Sequence, residues 1–238
     1  MILIRKIHRY FVRGKMATII VYNNEQNRME TYYREETDPM PYNTGNSLLV
    51  GEFRGSSQSE ILWTERNAMV SFNLFRSLWG SPIYVGYAFK RPIEGGHAAQ
   101  SQHYAGVSFD VGQNLNNEQR AQMRNMARSS GLWTYVEPVS ISPTWVHMDK
   151  RRGTPACETG GYPVTREGDM GAYVLILQDG LNSLGYETGG LDGVVGPMTK
   201  NSVVQYQQSR GLVADGVVGC LTWTTLMHEI VPDIVVST

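Results

Sequence analysis

A five-residue string, Asp-Gly-Val-Val-Gly, occurs twice near the end of the 238-residue chain, at 192–196 and again at 215–219. The repeat constrains the fold strongly because it demands the same tight turn twice. The aspartate bonds its own loop backbone while glycine takes positive φ. Each copy precedes a helix start, Pro197-Met198-Thr199 after the first and Leu221-Thr222-Trp223 after the second. Upstream, Tyr173, Leu177, Leu181 and Leu184 recur at helical spacing and stop at Gly185. Val203 and Tyr206 mark a second helix that stops at Gly211. Three short helices joined by such turns predict an all-α three-helix bundle over residues 168–238. The turns are too short and too poor in carboxylates for an EF-hand loop, so Asp192 and Asp215 read as structural.

Residues 151–167 ahead of the bundle accumulate charge, glycine and proline and lose periodicity, which reads as a linker. The segment 16–150 reads as a separate α+β domain with a small antiparallel sheet. Ala17–Tyr22 and Met29–Tyr33 form a β-hairpin about a polar turn, and Leu48–Phe53 reads as a further short strand. Residues 61–79 read as one helix with Leu62, Met69, Phe72, Phe75 and Trp79 on its inner stripe, stopped by Gly80 and Pro82. Strands follow at Ile83–Phe89 and Leu132–Glu137, with a helix capped by Asn116 or Asn117 between them. Cys157 and Cys220 either pair across the two halves or remain free thiols; two cysteines make no disulfide framework.

The chemistry concentrates in two places. In Ser101-Gln102-His103-Tyr104-Ala105-Gly106-Val107-Ser108-Phe109-Asp110, a short loop bends at Gly106 and enters an alternating strand that carries Asp110. In Trp145-Val146-His147-Met148-Asp149, a second alternating run puts Trp145, His147 and Asp149 on one face. If the two strands are neighbours, His147 stands beside Asp110. Two imidazoles and one carboxylate form the ligand set of an open catalytic zinc site, with one tetrahedral position left for water.

These motifs, S-x-H-x-x-G-x-x-x-D followed by a W-V-H-x-D strand, resemble the zinc D-alanyl-D-alanine carboxypeptidase and endopeptidase superfamily. The resemblance covers roughly residues 60–150. It implies cleavage of bacterial peptidoglycan stem peptides, with His103, Asp110 and His147 as metal ligands and Ser101 and Asp149 supporting them. It also implies an arginine that grips a substrate carboxylate. Here Gly86-Tyr87-Ala88-Phe89-Lys90-Arg91 displaces the base from the family's usual place, so Arg91 is the expected anchor and Lys90 the reserve. Family members commonly carry a glutamate three residues before the second histidine. This chain has Thr144 there, which cannot act as a base near neutral pH, and Glu137 is the expected substitute.

The bundle carries a second resemblance. L-Q-x-x-L-N-x-L-G-Y, D-G-V-V-G-P-x-T and Y-Q-x-x-x-G-L-x-x-D-G-V-V-G-x-x-T-W are similar to the common peptidoglycan-binding domain. The resemblance implies Tyr206 and Gln207 as candidate glycan contacts, with Trp223 more naturally a core residue.

A net charge of −1 gives no reason to expect a nucleic-acid partner, and no run approaches the roughly 18 apolar residues of a membrane span. The basic N-terminus, residues 1–15, has its apolar run broken by charges and lacks a cleavage site, so it makes a poor signal peptide. The expectation is a zinc-dependent peptidoglycan hydrolase acting on the cell wall, released as an endolysin or during sporulation. The alternative is a wall-binding protein whose catalytic domain has decayed.

Overall fold

A β-branched run seeds the first sheet. Ala17–Tyr22 lies within β1 (Met16–Asn23), the middle strand of three and buried along nearly its whole length. A computed structural model of the chain describes residues 15–45, 48–157 and 160–232; apart from Lys15, the basic N-terminal segment lies outside them. Strand β2 (Arg28–Glu35) returns antiparallel to β1 and alternates between partly buried and exposed positions, as an edge strand with one wet face does. On its other side β1 pairs in parallel with β3 (Ile61–Glu65).

That third strand corrects the reading of residues 61–79 as one helix. Ile-Leu-Trp-Thr-Glu is rich in residues that suit a pleated, packed surface, and pairing with β1 outweighs the helical spacing of Leu62. Helix α2 begins only at Arg66 and runs to Trp79, with Met69, Phe72 and Phe75 buried on its inner face. Residues 48–53 differ as well. Leu49 makes a single bridge to Pro39, and Val50–Arg54 then forms a short helix, α1, with the Leu49 amide donating to Glu52 Oε2 at 2.8 Å. A carboxylate three residues along captures the amide that a strand would have used.

The second sheet has the order β4-β5-β7-β6, all antiparallel: β4 (Val85–Tyr87), β5 (Ser108–Val111), β6 (Tyr135–Val136) and β7 (Val146–Asp149). Both β4 and β6 are shorter than their sequence runs. Helix α3 (Asn117–Ser129) is capped by Asn116, whose side chain accepts from the Gln119 amide at 2.9 Å.

Residues 151–167 do more than connect. Strands β8 (Pro155–Cys157) and β9 (Gly160–Pro163) form a hairpin, and Tyr162 is fully buried. Arg152 is held by Glu65 at 2.8 Å and lies over the Tyr22 ring. Cys157 and Cys220 form a disulfide, which ties the hairpin to the first residue of the last helix.

Helices α4 (Ala172–Ser183), α5 (Pro197–Ser209) and α6 (Cys220–Ile230) make the C-terminal bundle. The repeated turns are built alike. Asp192 Oδ1 accepts from the Val194 amide and Asp215 Oδ1 from the Val217 amide, while Gly193 and Gly216 take φ of 71° and 75°. A buried glutamine reads each turn. Gln178 accepts from the Gly193 amide and donates to Asp192, Val194 and Thr199; Gln207 accepts from the Gly216 amide and donates to Asp215, Val217 and Thr222.

Gln207 is therefore a turn-holding residue, and the expectation that it contacts glycan does not hold. Tyr206 fails for the same reason. It has no exposed surface, and its hydroxyl donates to Glu229 at 2.9 Å. Trp223 is buried, with its indole N–H on the Pro163 carbonyl at 2.8 Å. Helix α4 is buried from Ala172 to Leu181 because it packs against the other helices and against the first domain.

Candidate metal centre and cleft

The loop that carries His103 is shaped by one glycine. Gly106 has φ of 65°, and a Cβ there would lie 2.1 Å from the Trp63 carbonyl oxygen, so a side chain is excluded on both counts. The close approach lets β3 hold the loop. Trp63 Nε1 donates to the Tyr104 carbonyl and Thr64 Oγ1 to the Gly106 carbonyl, both at 2.7 Å. From this anchor the chain enters β5, where Asp110 stands directly opposite His147 of β7.

The three side chains converge. One ligand atom from each of His103, Asp110 and His147 lies within 4.8 Å of the others. His147 Nδ1 is 2.7 Å from Asp110 Oδ1, and His103 Nε2 is 3.2 Å from Asp110 Oδ2. The outer ring atoms are also engaged. His103 Nδ1 is 3.0 Å from the Ala88 carbonyl, and His147 Nε2 is 3.3 Å from Asp149 Oδ2.

This arrangement tests whether a cation fits. A carbonyl only accepts, so His103 Nδ1 is the donor to Ala88, and this turns Nε2 towards the Asp110 carboxylate. That Nε2 is buried, and the group it faces is Asp110 Oδ2 at 3.2 Å, without well-aligned hydrogen-bond geometry. His147 likewise has a carboxylate facing each ring nitrogen. A cation bound between Asp110 and the two inner nitrogens would satisfy all three groups, while the outer atoms fix tautomer and ring orientation. The donor set suits zinc.

Burial would lift the Asp110 carboxyl, but the adjoining His103 and His147 rings hold it well below the usual carboxylate range. Burial would lower His147, yet its bonds to Asp110 and Asp149 push it up to about 9. Asp149 is fully buried. Burial raises its carboxyl, and Arg151 and His147 together hold it below its ordinary value.

The triad sits in a cleft of about 590 Å³, also lined by Ser101, Glu137, Trp145, His97 and Arg151. Ser101 accepts from the His103 amide at 3.3 Å and so steadies the loop. Glu137 follows β6, its amide bonded to the His147 carbonyl at 3.0 Å, which keeps its side chain on the cleft. Thr144 is exposed and is not part of the lining.

Arg91 does not serve as the expected carboxylate anchor. Its guanidinium is committed to Asp179 of α4, and neither Arg91 nor Lys90 lines the cleft. Arg151 is the cation that does. It grips Asp149 through two nitrogens and lies 4.3 Å from the centre of the Tyr135 ring. In the sequence it was one charge within a Lys-Arg-Arg run, indistinguishable from a solvated linker.

In the sequence His97 is a loop histidine that either lines the cleft or has no role, and the structure puts it in the lining. It stacks on His103 with ring centres 4.5 Å apart, and burial, followed by the neighbouring His103, lowers it to about 3. Thr224 and His228 of α6 complete the rim, which no local motif signals.

Comparison with known proteins reaches the helical region. Residues 170–226 match the family model described as "Putative peptidoglycan binding domain". A crystal structure of a peptidoglycan-binding protein from Clostridioides difficile, in complex with glutamine hydroxamate, is 40% identical where matched. The match covers 29% of this chain and 43% of that one, with a TM-score of 0.28. An uncharacterized protein in the bpoA1 3'region of Kitasatospora aureofaciens is 40% identical over 81 residues, 32% of this chain and 69% of that protein. The chain belongs to one family with the Kitasatospora aureofaciens protein, and its C-terminal helices carry a peptidoglycan-binding domain.

Proposed function

We propose that this peptidoglycan-binding protein is a zinc-dependent hydrolase that cuts the stem peptide of the bacterial cell wall, as a D,D-carboxypeptidase or an endopeptidase. The observation that carries the reading is the convergence of His103, Asp110 and His147 at the cleft, with His103 Nε2 buried and facing Asp110 Oδ2 at 3.2 Å. A zinc ion held there would supply Lewis acidity towards a scissile carbonyl and would acidify water. Glu137 is the lining carboxylate available to take and return a proton. Asp149 orients His147 and is itself held by Arg151, which lines the cleft. The peptidoglycan-binding domain supports association of the protein with the cell wall.

A second reading is a wall-binding protein whose catalytic domain no longer turns over. Two observations favour it: Thr144 stands where a base is common in the resembled family, and the family model that matches, over residues 170–226, is that of a binding domain.

One experiment separates the readings. Metal content is measured on purified protein, with stem-peptide product masses from peptidoglycan recorded with and without chelator. One zinc per chain with chelator-sensitive cleavage is expected, and His103→Ala abolishes both. Zinc with wall binding but no cleavage leaves the second reading. No zinc sinks the site.

A further inference from the structure

We propose that the peptidoglycan-binding domain also forms a wall of the cleft, and that Thr224 and His228 of α6 contact the peptide part of the polymer directly. This rests on the hydrolase reading for the identity of the bound segment. The observation beneath it is that both residues line the same cleft as His103, Asp110 and His147, although they lie in the other domain.

The position of α6 is held from several sides. The disulfide joins Cys220 to Cys157, itself a cleft residue. One residue along the helix from Thr224, the Trp223 indole bonds the Pro163 carbonyl. Tyr173 of α4 donates to Gln102 Oε1 at 2.8 Å, next to the candidate ligand His103. Arg91 pairs with Asp179. A module that only raised local substrate concentration would work on a loose tether. A wall held by a disulfide, an ion pair and buried hydrogen bonds is instead preorganised, so a segment entering the cleft meets both domains at once.

The chemistry selects the peptide. The segment beside the triad must present the amide to be cut, and the wall across from it offers polar side chains. His228 is exposed and has no hydrogen-bond or ion-pair partner among the described residues. Thr224 Oγ1 has one weak contact, 4.0 Å from Cys157 Sγ. Both are free to bond the carbonyls, amides or carboxylates of a short peptide, and a cleft of about 590 Å³ falls within the roughly 300–1,000 Å³ of ordinary ligand sites.

The test uses the zinc-loaded 238-residue chain and a soluble pentapeptide stem ending in D-alanyl-D-alanine. Thr224→Ala/His228→Ala is expected to raise KM by on the order of tenfold, as loss of one or two hydrogen bonds does. kcat, zinc content and melting temperature stay near wild type, and His228→Gln recovers part of the loss. An unchanged KM in a cleaving enzyme overturns the proposal and leaves the hydrolase standing. If the wild type does not cleave, calorimetric affinity for the same peptide takes the place of KM. A tenfold loss then supports the wall while the hydrolase reading falls, and a wild type that neither cleaves nor binds overturns both. Loss of affinity for peptide-free glycan alone also overturns the assignment.

Discussion

Arg91 and Asp179 form an ion pair between the loop after β4 and helix α4, with the Asp179 side chain 2% exposed. Burial pushes the Asp179 carboxyl up, and Arg91 offsets part of that rise. Removing one partner of a buried pair strands the other, at a cost of about 3 kcal/mol. Arg91→Ala should therefore lower stability to denaturant by about that amount and, because the pair helps hold α4 against the first domain, raise KM for a stem peptide only together with that loss. Adding Asp179→Asn should restore part of the loss. An increase in KM without destabilisation would return Arg91 to the role of substrate anchor.

The Cys157–Cys220 bond closes a long loop, with a sequence separation of 63. In the chain-entropy limit such a loop is worth about 4 kcal/mol, so Cys157→Ser/Cys220→Ser should reduce stability by up to that amount. Because Cys157 lines the cleft, the double variant should also raise KM more than it lowers kcat. A steady-state comparison with and without reductant on the wild type provides the same readout.

Acid should weaken the first sheet through Glu30. Burial raises its carboxyl, but hydrogen bonds from Tyr42, Asn23, Tyr32 and Arg28 outweigh this and hold it at about 2, against an ordinary 4.5. A depressed carboxylate contributes stability above its unfolded value and loses it as pH falls through the folded one. Stability should therefore decline between pH 4.5 and 2. Glu30→Gln should flatten that part of the curve, measured as urea midpoint against pH. An unaltered slope would assign the acid sensitivity elsewhere.

Glu137→Gln tests the proton carrier. A lost general base costs about 10²–10⁴ in kcat, and zinc content should not change because Glu137 is outside the ligand cluster. Unchanged turnover would exclude it from that role.

Local pattern was enough wherever the determining interactions lie close in sequence. The doubled Asp-Gly-Val-Val-Gly turns, a helix cap at Asn116 or Asn117 and the bend at Gly106 were legible, because each depends on a backbone conformation that few residues permit. The alternation around Asp110 and His147 also carried information, since a strand's period fixes which side chains share a face. Parallel pairing of Ile61–Glu65 with β1 was hidden, because its partner lies some forty residues upstream and Leu62 imitates a helical stripe. Tyr206 and Gln207 resembled polymer contacts until packing buried them.

By itself, then, the sequence determined the repeated helical turns and the residue types that can hold a metal, because local geometry and donor chemistry are properties of short segments. Only the tertiary structure decided that Arg91 faces Asp179, that Arg151 reaches the cleft, and that Cys157 meets Cys220 with α6 along the rim. Those relations join residues tens of positions apart, and they depend on how the buried faces of two domains fit together.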